Sequence, residues 1–223
     1  MTKPPCIIFD LDGTLVDSAP DLAATGNELL RRRGREQVSL ADVRSMVGKG
    51  ALVLMEKMME ATGEPATREE LKAMLPEYLD HYGANIAANT APFPGVREAL
   101  EALAERQALM AVCTNKFEEL SHSLLQQIEL DHHFRAVIGG DTLPIRKPDG
   151  GHVLGTIERV GGDPARTIMV GDSHNDIDAA KDAGVKSIAV SFGYTDIPPR
   201  ELGADHVIDH FDELIGAIDA LME

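Results

Sequence analysis

Short apolar runs recur along the chain, and each gives way to small or polar residues: "CIIF" at 6–9, "LMAVCT" at 109–114, "AVIG" at 136–139, "TIMVG" at 167–171, "SIAV" at 187–190 and "HVI" at 206–208. Their apolar character is continuous rather than alternating, as in strands covered on both faces. Between them lie helical patterns in "GVREALEALAER", "KFEELSHSLLQQIE", "GGHVLGTIERVG", "NDIDAAKDAG" and "FDELIGAIDALM". Strands alternating with helices predict right-handed crossovers and an α/β fold, a doubly wound, mostly parallel, Rossmann-like sheet.

One interval breaks this rhythm. From about Ala19 to Asn89 the pattern is helical only, in "PDLAATGNELLRRRG", "SLADVRSMVG", "ALVLMEKMMEATG" and "TREELKAMLPEYLDHYGANIAA". That is too much chain for one crossover helix. It predicts an all-helical cap (18–89) inserted after strand one into an α/β core made of 1–17 and 90–223, with hinges near Asp17 to Pro20 and at "NTAPFPG" (89–95). The methionines of "MEKMMEATG" read as core filling of that cap. "RRRGR" (31–35) reads as a solvated helix end, where basic residues suit the helix dipole.

Composition narrows the partners. Asp and Glu number 37 against 21 Lys and Arg, a formal net charge of −16. Such a surface has no general attraction to nucleic acid or to anionic membranes, so a small anionic substrate needs local positive charge. Cys6 and Cys113 lie in apolar runs and form no C-x-x-C pair, which reads as reduced, buried thiols. No apolar run approaches the roughly 20 residues of a membrane span, and "MTKPPCIIFD" lacks the features of a signal peptide. A soluble, cytoplasmic protein is expected, as a monomer or homodimer.

In an open parallel sheet, ligands bind beyond the carboxyl ends of the strands. At those ends the chain carries Asp10 and Asp12, then Thr114 and Asn115, then Lys147 in a loop, then Asp172 and Asp176. Several carboxylates converging on one crevice repel each other, and a divalent cation resolves the repulsion. The donors are oxygens with no His/Cys cluster beside them, which favours Mg²⁺ over Zn²⁺. A hydroxyl, an amide and a lysine beside that metal would receive phosphate oxygens. The chemistry suggested is phosphoryl transfer through an aspartyl phosphate. Asp10 would attack phosphorus while Asp12 moves protons, the turn at Gly13 letting the second carboxylate swing clear. Of the other acids, Asp17 reads as a helix N-cap and Asp178 as an ordinary first-turn acid.

These residues name a family. "DLDGTLVDS" (10–18), "CTNK" (113–116), "KP" (147–148) and "VGDSHNDIDAAKDAG" (170–184) resemble, in order, the four motifs of the haloacid dehalogenase superfamily. The resemblance implies Asp10 as nucleophile, Asp12 as acid/base, and Thr114 and Lys147 as phosphate ligands. It implies a metal held by Asp10, Asp172 and the Asp12 carbonyl, with Asp176 behind them. It also implies that the helical insertion is a mobile cap. Asp12 favours phosphate esters over carbon–halogen bonds. Within the superfamily the chain looks most like bacterial phosphoglycolate phosphatases, including "RSMVGKGALVLM" (44–55) and "SFGYT" (191–195). That likeness implies hydrolysis of 2-phosphoglycolate to glycolate and phosphate, with Arg44 or Lys49 brought toward the substrate carboxylate. Other small sugar phosphates, pyrophosphate and β-phosphoglucomutase chemistry are the alternatives. A response-regulator receiver also uses an acidic Mg²⁺ pocket on such a sheet, but receivers are about half this length and have no cap. After Lys147-Pro148 many relatives carry a second proline, where this chain reads "DGGH".

Overall fold

Cys6, Ile7, Ile8 and Phe9 form strand β1 (Cys6–Phe9), and all four side chains are buried. Ile7 and Phe9 join one apolar cluster and Cys6 and Ile8 another, so the continuous apolar run reflects a strand covered on both faces. The computed structural model describes residues 3–195 and 197–223. After β1 come β2 (Val16–Asp17), α1 (Ala19–Arg32), α2 (Leu40–Met46), α3 (Ala51–Ala61), α4 (Arg68–Ala84) and β3 (Ala91–Pro92). Next come α5 (Val96–Glu105), β4 (Leu109–Cys113), α6 (Glu118–Gln127), β5 (Ala136–Ile138), α7 (Gly150–Val160) and β6 (Thr167–Gly171). The chain ends with α8 (His174–Ala183), β7 (Lys186–Val190), β8 (His206–Ile208) and α9 (Leu214–Met222).

Six strands form one parallel sheet in the order β5-β4-β1-β6-β7-β8. Residues of α7 and α8 cover one face, with Val153, Ile157, Ala179 and Ala180 against Cys6 and Ile8. Residues of α5, α6 and α9 join the cluster on the other face. The chain winds outward from β1 in both directions, which makes the carboxyl end of β1 the switch point of the sheet. Phe9 lies opposite Val112 on one side and Val170 on the other. That register brings the polar residues following β1, β4 and β6 to the same edge.

Two features were not legible as patterns. β2 and β3 pair antiparallel, Val16 with Pro92 and Asp17 with Ala91, so the chain leaves the sheet and returns to it side by side. The basic cluster is also more than a solvated helix end. Arg31 and Arg32 pair with Glu28, Arg32 and Arg33 pair with Glu77 on α4, and Arg35 donates to the carbonyls of Met59 and Glu64. Between the helices, Met55, Met58 and Met59 are buried with Tyr78 and Tyr82, as core filling requires.

Asp17 does not cap α1, which corrects the expectation for it. Ser18 occupies the N-cap position and makes no side-chain cap bond, while Asp17 is bonded to distant groups described below.

Candidate active site

Asp10 follows β1 directly and is buried, its backbone N–H donating to the carbonyl of Val170 at 2.9 Å. Its Oδ1 accepts from the amide of Leu11 at 2.7 Å and lies 2.9 Å from Lys147 Nζ. Lys147 also donates to Asp176 Oδ1 at 2.6 Å. Asp10, Asp172 and Asp176 each offer an oxygen within 4.8 Å of the others, and all three are buried. Burial pushes the Asp10 carboxyl up to about 7; Lys147 works against that rise and Asp176 adds to it. Burial, then Asp176 and Asp10, raise Asp172 well above the usual carboxylate range. For Lys147, burial opposes the charge, but Asp10 and Asp176 outweigh it and lift its pKa above the ordinary lysine value. With all three carboxylates ionised, one ammonium would leave two negative charges without a counter-ion, and the raised pKa values of Asp10 and Asp172 express that deficit. An all-oxygen donor set with that deficit suits a hard divalent cation.

The carboxylates are held in different ways. Asp176 spends its second oxygen on the backbone N–H groups of Asp172 and Ser173 and the Ser173 hydroxyl, closing the N-terminus of α8 while bracing Lys147. Asp172 Oδ2 accepts from the amide of Tyr194 at 2.6 Å. Gly13, at φ +87°, passes so close that a Cβ there would collide with Asp172. Asp12 is half-buried and accepts from Ser18 Oγ at 2.6 Å.

Thr114 and Asn115 follow β4, beside Asp10 and Asp12, and line the same cavity. Asn115 Nδ2 donates to the carbonyls of Gly48 at 3.0 Å and Lys147 at 3.1 Å. With Asn175 Nδ2 donating to the same Gly48 carbonyl at 3.2 Å, two core amides grip the loop before α3. The cavity, about 40 Å³, closes between the strand ends and a ceiling that includes Val47, Gly50, Leu54, Tyr78 and Tyr82.

Arg44 and Lys49 lie elsewhere. Arg44 Nη2 donates to Asp17 Oδ2 at 2.7 Å, and Tyr194 donates its hydroxyl to Asp17 Oδ1 at 2.6 Å. Lys49 is exposed, and neither residue lines the cavity. The cation that does is Lys116. Its Nζ lies 3.1 Å from both oxygens of Asp12, donates to the Tyr82 hydroxyl at 2.7 Å and sits 4.4 Å from the centre of the Tyr82 ring. Lys116 stands in "CTNK", but nothing local in the sequence shows which of two adjacent polar residues turns back toward Asp12.

Residues 7–190 match the model of the haloacid dehalogenase-like hydrolases. The chain belongs to that family. Among its relatives is the phosphoglycolate phosphatase of Caulobacter vibrioides, 48% identical over 205 residues that cover 92% of this chain and 86% of the relative. The phosphoglycolate phosphatase of Agrobacterium fabrum is 44% identical over 214 residues, 96% of this chain and 92% of the relative. A crystal structure described as a predicted phosphoglycolate phosphatase from Haemophilus somnus 129PT superposes with a TM-score of 0.89 at 33% identity, covering 97% of this chain and 99% of that one. Like other haloacid dehalogenase-like hydrolases, the chain is an enzyme. Among the described residues no helix is long and apolar enough to cross a membrane.

Proposed function

We propose that this chain is a Mg²⁺-dependent phosphatase of small phosphate monoesters, with 2-phosphoglycolate as the preferred substrate. The buried Asp10–Lys147–Asp176 cluster with Asp172 beside it carries this reading, joined to relatives of that name at 44–48% identity. Asp10, Asp172 and the Asp12 carbonyl would hold the metal, which when bound offsets phosphate charge and draws the ester toward Asp10.

Lys147 and the Leu11 amide anchor Oδ1 of Asp10, leaving Oδ2 to attack phosphorus in line and form an aspartyl phosphate. Thr114 offers its hydroxyl, and Lys147 its fixed charge, to the equatorial oxygens. Asp12 protonates the departing alcohol and then takes a proton from the water that hydrolyses the acyl phosphate. Ser18 and Lys116 hold the Asp12 carboxylate in place between these two steps. The ceiling over the strand ends would screen bulk water during attack and limit the alcohol to a small one.

The test is phosphate release with and without Mg²⁺ from a panel of small esters headed by 2-phosphoglycolate, with Asp10→Asn as the blank. The expected result is Mg²⁺-dependent release, kcat/KM highest for phosphoglycolate, and a loss of about 10⁴-fold or more in the variant. Broad, weak activity would remove the substrate assignment, and metal-independent release would remove the mechanism.

A further inference from the structure

Tyr78 is 1% exposed, its hydroxyl has no hydrogen-bond partner among the described residues, and Tyr78 lines the cavity. A buried, unpartnered hydroxyl is costly, and each one in a folded protein calls for an explanation. The charged and amide donors nearby are committed. Lys116 gives its ammonium hydrogens to Asp12 and the Tyr82 hydroxyl. Asn115 gives both amide hydrogens to backbone carbonyls, and its free Oδ1 can only accept. Arg44 is held by Asp17 outside the cavity.

A second group faces the same space. Gly50 is the N-cap residue of α3 and supplies no side-chain cap, and Gly50, Ala51 and Leu54 line the cavity. A side chain at Gly50 would crowd the Asn115 carbonyl, so the loop needs glycine to come this close. The open amides of a helix start favour an anion. Burial, reinforced by Tyr82, raises the pKa of Tyr78 above the ordinary tyrosine value, so the hydroxyl keeps its proton and stays a donor.

We infer that Tyr78 is a specificity-determining residue whose hydroxyl, together with the first turn of α3, receives the carboxylate of the substrate's alcohol half. The inference rests on the phosphatase reading above and narrows its substrate class to short phosphate esters that end in a carboxylate. Recognition of this acid end is assigned to a neutral donor and backbone amides, rather than to Arg44 or Lys49.

The test compares 2-phosphoglycolate with 2-hydroxyethyl phosphate, in which a hydroxymethyl group replaces the carboxylate, in wild type and Tyr78→Phe. The ratio of the two kcat/KM values is expected to fall about tenfold or more in the variant, through KM for phosphoglycolate. Removing an unsatisfied hydroxyl should leave the Tm equal or higher, whereas a structural brace would lower it. Glycolate binding, followed by ligand-observed NMR without turnover, should weaken by a similar factor. A ratio within about twofold of wild type, equal loss on both esters with a lowered Tm, or glycolate binding that is equal in both proteins or absent from wild type would each overturn the inference. No phosphate release from either ester by wild type would refute the phosphatase reading instead, while the glycolate measurement still decides the role of Tyr78.

Discussion

Lys147 lies between Asp10 and Asp176, and both carboxylates favour its charged form more than burial opposes it. It is a fixed positive charge rather than a proton donor, and in the proposed mechanism proton movement falls to Asp12. His152, which feels the charge of Lys147, shows the opposite balance. It is fully buried, with Nε2 3.1 Å from the Gly139 carbonyl and Nδ1 3.4 Å from Cys113 Sγ. Burial, then Lys147, lower its pKa from 6.5 to about 4. The unfolded chain therefore takes up this proton first, so the stability the neutral ring contributes is complete above pH 6.5. It is lost as the pH falls from there toward 4. Urea unfolding of the metal-free protein at pH 7.5 and 4.5 should show wild type losing roughly 2 kcal/mol more than His152→Gln across that interval. An identical pH dependence would mean that the ring accepts its proton in the folded state. Residues whose position follows from a strand end, such as Asp10, Thr114 and Asp172, were legible in the sequence because the sheet rule places them. Asp17, Lys116 and Tyr78 were not. Their roles depend on partners far along the chain, and locally they pass for a cap, a loop lysine and an apolar filler.

At the scale of elements, the six sheet strands could be read because burial on both faces forces an unbroken apolar run, and all six expected runs form strands. The β2–β3 ribbon could not, since two residues on each side carry no period. Beside that ribbon, Asp21 in the first turn of α1 ties the outgoing chain to the returning one. It is buried and accepts from the amides of Asn89 and Thr90, from Asn89 Nδ2 at 2.8 Å and from the Thr90 hydroxyl at 2.8 Å. Burial alone would raise its pKa, but these donors prevail and lower it. Asp21→Asn turns an NH₂ toward groups that are themselves donors, and should cost about 2 kcal/mol of stability in urea unfolding. An undiminished midpoint would mean that the two chain crossings are held by the ribbon alone.

Across the whole molecule, a chain of net charge −16 presents an anionic substrate with a site whose positive groups are internal. Lys147 and Lys116 are both buried, each clasped to a carboxylate of the first motif. The sheet supplies the convergence, with β1 at the switch point and β4 and β6 in register on either side. The helical layer supplies the ceiling, gripped through the Gly48 carbonyl by Asn115 and Asn175. Together these place Asp10 and Asp12, the proposed nucleophile and proton carrier, at one small cavity, with Lys147 paired to Asp10. The most direct measurement is acid quench of wild type within the first turnovers on 2-phosphoglycolate and Mg²⁺, followed by peptide mapping of any phosphoryl adduct by mass spectrometry. The account predicts a single acid-stable, base-labile adduct on the peptide carrying Asp10, absent from Asp10→Asn. An adduct on another residue, or rapid phosphate release with no adduct at any quench time, would contradict it.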